Sequence, residues 1–309
     1  MTNVLGCIPS FCKKWHRVIA ILIVSTVIFL VLYLLNRDPL MIIEAQSRSL
    51  DFNVVNNEEA RIAFPGKIAF KATPRSAPEC LAGLFEPDTG SKVSYSLFAD
   101  TLVIRASSGH FTPIDKNTAE IEITERSSMS YGPGADDTDG VCESQANPVQ
   151  LPIWGPTSIG QTATPQNLAN RNNPFTGTLI GGEVLVFGRN ILGSGIYPAG
   201  EFSLPTGARL SSQTSTNDNV APWWGYAKYL PSEDDNEVSS LEVSATTIAS
   251  DLIMQRRGSG PSSEKIQAGV FAQVAGDPFC AIIITVLASI FFILEFVVAA
   301  RELSEKDHA

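Results

Sequence analysis

Two apolar runs near the ends of the chain limit what it can fold into more than any other feature. Val18 to Leu35 contains no charged residue and would span roughly 27 Å as a helix, against a hydrocarbon core of roughly 30 Å in a bilayer. The second run, residues 279–300, would span roughly 33 Å and contains one ionisable residue, Glu295. The sequence therefore predicts two transmembrane helices, 18–35 and 279–300.

The charges beside the first run predict the orientation of the chain. Lys13, Lys14 and Arg17 directly precede it, and basic residues at a helix end favour the cytoplasmic side. Two spans then place both tails, 1–17 and 301–309, in the cytoplasm. Residues 36–278 form an extracytoplasmic domain, which is periplasmic if the membrane is a bacterial inner membrane. A cleaved signal peptide is the alternative, but an apolar region of 18 residues exceeds the usual 7 to 15.

The segment between the runs shows the period-two pattern of β-strands rather than helical periodicity. Leu50, Phe52 and Val54 alternate with polar residues, as Ile121 and Ile123 do. Other β-rich stretches are 67–72, 93–105, 178–188, 239–248 and 266–274. The prediction is a mainly β domain, an antiparallel sandwich or barrel-like fold. It is organised either as one domain or as two modules at about 40–130 and 175–275.

The formal net charge of −10 narrows the classes of partner. Nucleic-acid binding needs a basic surface that neutralises phosphates, and an anionic lipid surface attracts basic rather than acidic segments. Residues 38–277 contain 28 acidic and 16 basic residues, so the charge of the middle domain argues against both kinds of binding.

Two of the five cysteines, Cys80 and Cys142, lie in the predicted extracytoplasmic domain, away from the membrane. Disulfides form and persist in oxidising compartments, so these two are a candidate bridge. Cys7 and Cys12 lie on the predicted cytoplasmic side, and Cys280 lies at the start of the second span.

The densest aromatic cluster contains Trp223, Trp224 and Tyr226. If buried, these side chains form part of the core. If exposed, they could bind a protein partner, lie at the lipid interface or stack on a sugar. Within the second span, Glu295 is a candidate hydrogen-bonding contact to another membrane helix.

Candidate catalytic and metal-binding residues are sparse. His110 is the one histidine of the middle domain, and the chain has no G-x-S-x-G nucleophile motif, so a hydrolase is the weakest hypothesis. Asp136, Asp137 and Asp139 before Gly140 resemble part of a calcium loop, but the closing glutamate is absent. The sequence thus predicts no catalytic residues, no cofactor and no metal.

The preferred hypothesis is a non-catalytic membrane-anchored accessory, assembly or scaffold subunit of a larger membrane complex. Its partners would be other integral membrane proteins or further copies of itself, together with the lipid bilayer. The alternative hypothesis is an extracytoplasmic ligand-binding or sensing domain. Its cytoplasmic tails, 1–17 and 301–309, are too short for an output domain, so signalling would need another protein.

Overall fold

The structure is a computed structural model of the 309-residue chain. It describes residues 18, 21–22, 24–29, 33, 37–64, 66–98, 100–115, 119–132, 142, 149–160, 178–190, 194–212, 220–231, 239–256 and 263–306.

The chain divides into two compact units. The larger unit consists of Asp38–Val186 and Glu201–Gln267, and the smaller unit of Met1–Arg37, Phe187–Gly200 and Ala268–Ala309. The larger unit contains most of the β-structure. The described residues of the smaller unit include the helices α1 (Val270–Gly276) and α2 (Pro278–Lys306).

A six-stranded sheet draws its strands from distant parts of the sequence. In spatial order they are β12 (Gln150–Gly155), β17 (Trp223–Leu230), β18 (Ser240–Ile248), β1 (Leu40–Ser47), β14 (Leu179–Arg189) and β15 (Ile196–Leu204). Every strand pair in this sheet whose register the structure gives is antiparallel.

The described residues form two further sheets. In the ten-stranded sheet the order is β20 (Ser263–Ile266), β19 (Leu252–Gln255), β16 (Arg209–Ser211), β13 (Thr157–Ile159), β2 (Ser49–Asn53), β7 (Lys92–Phe98), β8 (Thr101–Ala106), β11 (Ser128–Tyr131), β4 (Ile68–Lys71) and β5 (Glu79–Leu81). In the four-stranded sheet it is β10 (Ile121–Thr124), β9 (Ser108–Pro113), β6 (Gly83–Pro87) and β3 (Ile62–Ala63).

The core of the larger unit follows from strand alternation. Along β1, Met41, Ile43 and Ala45 are buried, whereas Glu44 and Gln46 are exposed. Successive side chains of a strand point to opposite faces of the sheet, so one face is apolar and packed while the other remains polar. The prediction of a mainly β, antiparallel fold is therefore confirmed.

The strands of the two candidate sequence modules share the same sheets. β1 lies between β18 and β14, and β2 pairs with both β7 and β13. Strands from the ranges 40–130 and 175–275 therefore share the six-stranded sheet.

One stretch expected to be β-rich is partly helical. Of residues 266–274, only Ile266 belongs to a strand, β20, and the segment from Val270 onward forms α1. Its residues follow the turns of a short helix, where period-two alternation has no role. This strand prediction was wrong beyond Ile266.

Among the described residues, one helix is long and apolar enough to cross a membrane. The candidate span is Pro278–Val297 within α2, close to the predicted 279–300, and 6% of its apolar window is buried inside the chain. The first predicted span, 18–35, lies partly outside the described residues. Those that are described, at 18, 21–22, 24–29 and 33, are helical.

A disulfide joins Cys80 of β5 to Cys142, with their Cα atoms 5.6 Å apart. The bond attaches an edge strand of the ten-stranded sheet to a residue 62 positions further along the chain. The sequence predicted these two cysteines as the candidate bridge.

Candidate functional site

The aromatic cluster of β17 is divided between two faces of the six-stranded sheet. Trp223 and Tyr229 are completely buried, whereas Trp224 is partly exposed and Tyr226 is 46% exposed. Strand alternation forces this division because neighbouring side chains point in opposite directions. Trp223 is a core residue, and the indole Nε1 of this side chain is buried with no hydrogen-bond partner among the described residues.

Strand register brings a third aromatic residue to the outward face. Trp154 of β12 lies directly opposite Trp224, and Pro152 lies opposite Tyr226. Trp154 is partly exposed, like Trp224. We call Trp154, Trp224 and Tyr226 the aromatic face.

Polar side chains surround the aromatic face. Trp224 lies opposite Thr246 of β18, and Tyr226 lies opposite Ser244. One step further along the strands, register aligns Gln150, Lys228 and Glu242. An aromatic centre with a polar rim is the usual composition of a protein-binding surface.

Sequence reasoning found Trp224 and Tyr226 but missed Trp154. No other aromatic residue lies near Trp154 in the sequence. Its neighbour across the sheet, Trp224, is 70 positions away along the chain. Alternation of Leu151 and Ile153 with Pro152 and Trp154 could have placed Trp154 on an outward face. It could not have revealed which strand lies beside it.

A second cluster of polar contacts, centred on Arg37, lies in the smaller unit. Arg37 donates one hydrogen bond from Nη1 to the carbonyl oxygen of Asn190 (2.9 Å) and one from Nη2 to the Tyr33 hydroxyl (2.7 Å). Its guanidinium also lies over the Tyr33 ring, 4.8 Å from the centroid. Arg37, two positions after the first apolar run, is thereby bound to Asn190, which directly follows β14.

Tyr197 of β15 binds α1 in the same unit. Its hydroxyl donates to the carbonyl oxygen of Gln273 (3.0 Å). Burial raises the pKa of Tyr197 to about 12, and the charge of Asp277 contributes in the same direction. The ring lies against the backbone at both Gly188 and Gly276, where an added Cβ would come within 2.3 Å and 2.4 Å of ring atoms.

Asp277 separates the two helices and caps the second. Its Oδ1 accepts hydrogen bonds from the backbone N–H of Phe279 (2.8 Å) and of Cys280 (3.3 Å). Pro278 follows at the first helical position, where the missing N–H costs nothing. Asp277 is completely buried, as expected for an acid whose oxygen satisfies the first turn of a helix.

Replacing Gly276 by alanine is expected to lower the free energy of unfolding by about 1–3 kcal/mol, the usual cost of overpacking. The new methyl group would meet the Tyr197 ring, which has little room to move because it also lies against Gly188. Thermal unfolding of the full chain in detergent measures the effect. Gly276→Ala in a Tyr197→Ala background is the control, and an equal loss in both backgrounds would contradict the proposed collision.

His110 lies among carboxylates on the outward face of the four-stranded sheet. Its Nε2 is 3.6 Å from Asp88 Oδ1, and its Nδ1 is 4.0 Å from Glu120 Oε1. Register places His110 between Glu86 and Glu122. In the described part of the chain, the groups around the imidazole are acids rather than a nucleophile, so the site offers no support for a hydrolase.

The remaining candidate residues have the following positions. Glu295 lies within the candidate span of α2 and its side chain is exposed. Among the described residues, no group of three or more His, Cys, Asp or Glu side chains could hold a metal ion. The partial calcium motif of Asp136, Asp137 and Asp139 lies outside the described residues.

Comparisons with family models, with curated proteins and with solved structures found no match for this chain.

Proposed function

We propose that this chain is a non-catalytic, membrane-anchored accessory, assembly or scaffold subunit of a larger membrane protein complex, in which a partner protein binds the aromatic face. The observation that carries the proposal is the outward alignment of Trp154, Trp224 and Tyr226 by strand register. Trp and Tyr are enriched among the residues that dominate protein–protein binding energy.

The membrane anchoring in this proposal is supported by α2. α2 is apolar over Pro278–Val297 and almost none of that length is buried by the chain itself, which is typical of a helix that meets lipid or another helix. In the proposal, residues 18–35 form a second span. Glu295 would then contact a helix of a partner, because a carboxyl group within a bilayer favours a polar neighbour.

The proposed location is a bacterial inner membrane, with both termini in the cytoplasm and the β-structure in the periplasm. Lys13, Lys14 and Arg17 beside the first apolar run support that orientation. The Cys80–Cys142 disulfide also supports it, because such bonds persist in the periplasm and are reduced in the cytoplasm.

The aromatic face predicts how binding responds to mutation. Trp224→Ala combined with Tyr226→Ala is expected to weaken binding of the partner at least tenfold, because truncation of such residues commonly costs about 2 kcal/mol each. Chemical cross-linking in native membranes followed by mass spectrometry identifies the partner. Co-purification from mild detergent then compares the variant with the wild type.

A matched control is available in Phe98, which is 58% exposed but lies outside the aromatic face. Phe98→Ala should leave the amount of co-purified partner unchanged. A wild-type chain that purifies as a lone monomer, or a partner retained by the double variant, would contradict the proposal.

The alternative, an extracytoplasmic ligand-binding or sensing domain, would use the same face. Ser244 and Thr246 beside the aromatic side chains favour it, because hydroxyl groups can hydrogen-bond a polar ligand that stacks on the rings. A small ligand should then alter the tryptophan fluorescence of the purified chain when no partner protein is present. The same ligand should leave the Trp224→Ala variant unaffected.

A further inference from the structure

Phe271 of α1 is the most exposed large apolar side chain of the described residues, at 91%. Its exposure exceeds that of Phe292, which is 72% exposed at the surface of the candidate span. Exposing this phenylalanine to water would forgo favourable free energy, because burying apolar surface stabilises a protein by about 25 cal/mol per Å².

Two other residues of α1, Gln273 and Gly276, are packed within the smaller unit. The carbonyl oxygen of Gln273 accepts the Tyr197 hydroxyl, and the Gln273 side chain is buried. Gly276 lies against the Tyr197 ring. These contacts hold α1 with the Gln273 side chain buried and the Phe271 ring exposed.

The chain continues from α1 directly into the apolar span. α1 ends at Gly276 and α2 begins at Pro278, with the capping residue Asp277 between them. Phe271 lies only seven positions before the first residue of the candidate span, Pro278. The same compact unit contains Tyr33 and Arg37, whose ring and guanidinium are the pair of groups usual at a membrane–water interface.

We propose that α1 is an interfacial membrane contact, in which the Phe271 side chain inserts among the lipid headgroups and upper acyl chains beside α2. The proposed occupant of this surface is the lipid bilayer, because α1 directly precedes the span, with Asp277 alone between the two helices. Short apolar segments at an interface fix the depth and rotation of the structures attached to them. Here α1 would set the depth of β15, because the Tyr197 hydroxyl of that strand donates to the carbonyl oxygen of Gln273 in α1. This inference rests on the proposed anchoring of α2.

The test places an environment-sensitive fluorophore at position 271. Phe271→Cys is labelled with NBD in a full chain whose Cys7, Cys12 and Cys280 are replaced by alanine, and the protein is reconstituted into phosphatidylcholine nanodiscs. Ile282→Cys, within the span, is the lipid reference, and Glu122→Cys, on the exposed side of β10, is the aqueous reference. Quenching by nitroxide-labelled lipid and by aqueous iodide is measured for all three labels.

The label at 271 is expected to resemble the one at 282, with blue-shifted emission, strong quenching by lipid nitroxide and protection from iodide. A label at 271 that iodide quenches as it does at 122, while 282 remains in lipid, overturns the inference and leaves the anchoring intact. Protection from both quenchers would also overturn it, because protein rather than lipid would then cover Phe271. If the label at 282 is itself in water, the proposed anchoring fails.

Discussion

Replacing Trp223 by alanine is expected to lower the free energy of unfolding by about 3–5 kcal/mol, whereas replacing its neighbour Trp224 should cost only about 1 kcal/mol. Trp223 is completely buried on the inward side of β17, so its loss leaves a cavity in the core. Trp224 points outward, where neighbouring side chains and water can fill the space. Urea denaturation of the two variants in detergent compares the losses.

Trp223→Phe is the control for the core position. The substitution keeps an aromatic ring and removes the indole N–H, which is buried and finds no hydrogen-bond partner in the part of the chain that the structure describes. Because an unpaired buried donor carries a cost of about 1–3 kcal/mol, this variant should lose much less stability than Trp223→Ala. Equal losses for Trp223→Ala and Trp224→Ala would contradict the division of the cluster between two faces.

Reduction of the Cys80–Cys142 disulfide is expected to lower the free energy of unfolding by about 4 kcal/mol, the second large effect. The bond joins residues 62 positions apart, so reduction frees a long loop in the unfolded chain and raises its conformational entropy. Unfolding with and without dithiothreitol measures the difference.

The double variant Cys80→Ala, Cys142→Ala provides the control for reduction. Its stability should match that of the reduced wild type and should not respond to dithiothreitol. A wild-type chain whose unfolding is unchanged by the reductant, although alkylation shows both thiols to be free, would contradict the expected stabilisation.

Local patterns predicted individual strands well. The alternation of Leu50, Phe52 and Val54 correctly indicated β2, and the stretches 178–188 and 239–248 coincide closely with β14 and β18. Apolar and polar residues alternate along the sequence of a strand because one face of the strand is buried and the other meets water. The stretch 266–274 misled because a short apolar segment carries no period that separates a strand from a helix, and it forms α1 from Val270 onward.

The candidate site could be predicted only in part. The sequence drew attention to Trp223, Trp224 and Tyr226 as one cluster, but not to the separation of Trp223 from the other two. It also gave no reason to connect Trp154 with Trp224, or Tyr197 with Gln273. These pairs depend on which strands and helices become neighbours, and the residues within a single segment do not show which segment will lie beside it.

The sequence by itself determined the apolar character of 279–300, the β-rich character of the middle segment and the identity of the two cysteines available for a bridge. Each depends on residue type and local spacing, and these act within a few positions of the chain. Only the tertiary structure decided which aromatic side chains point outward together and that Phe271 stands exposed on a helix bound by Tyr197. Both outcomes depend on strand register and helix packing, which bring together residues 70 or more positions apart.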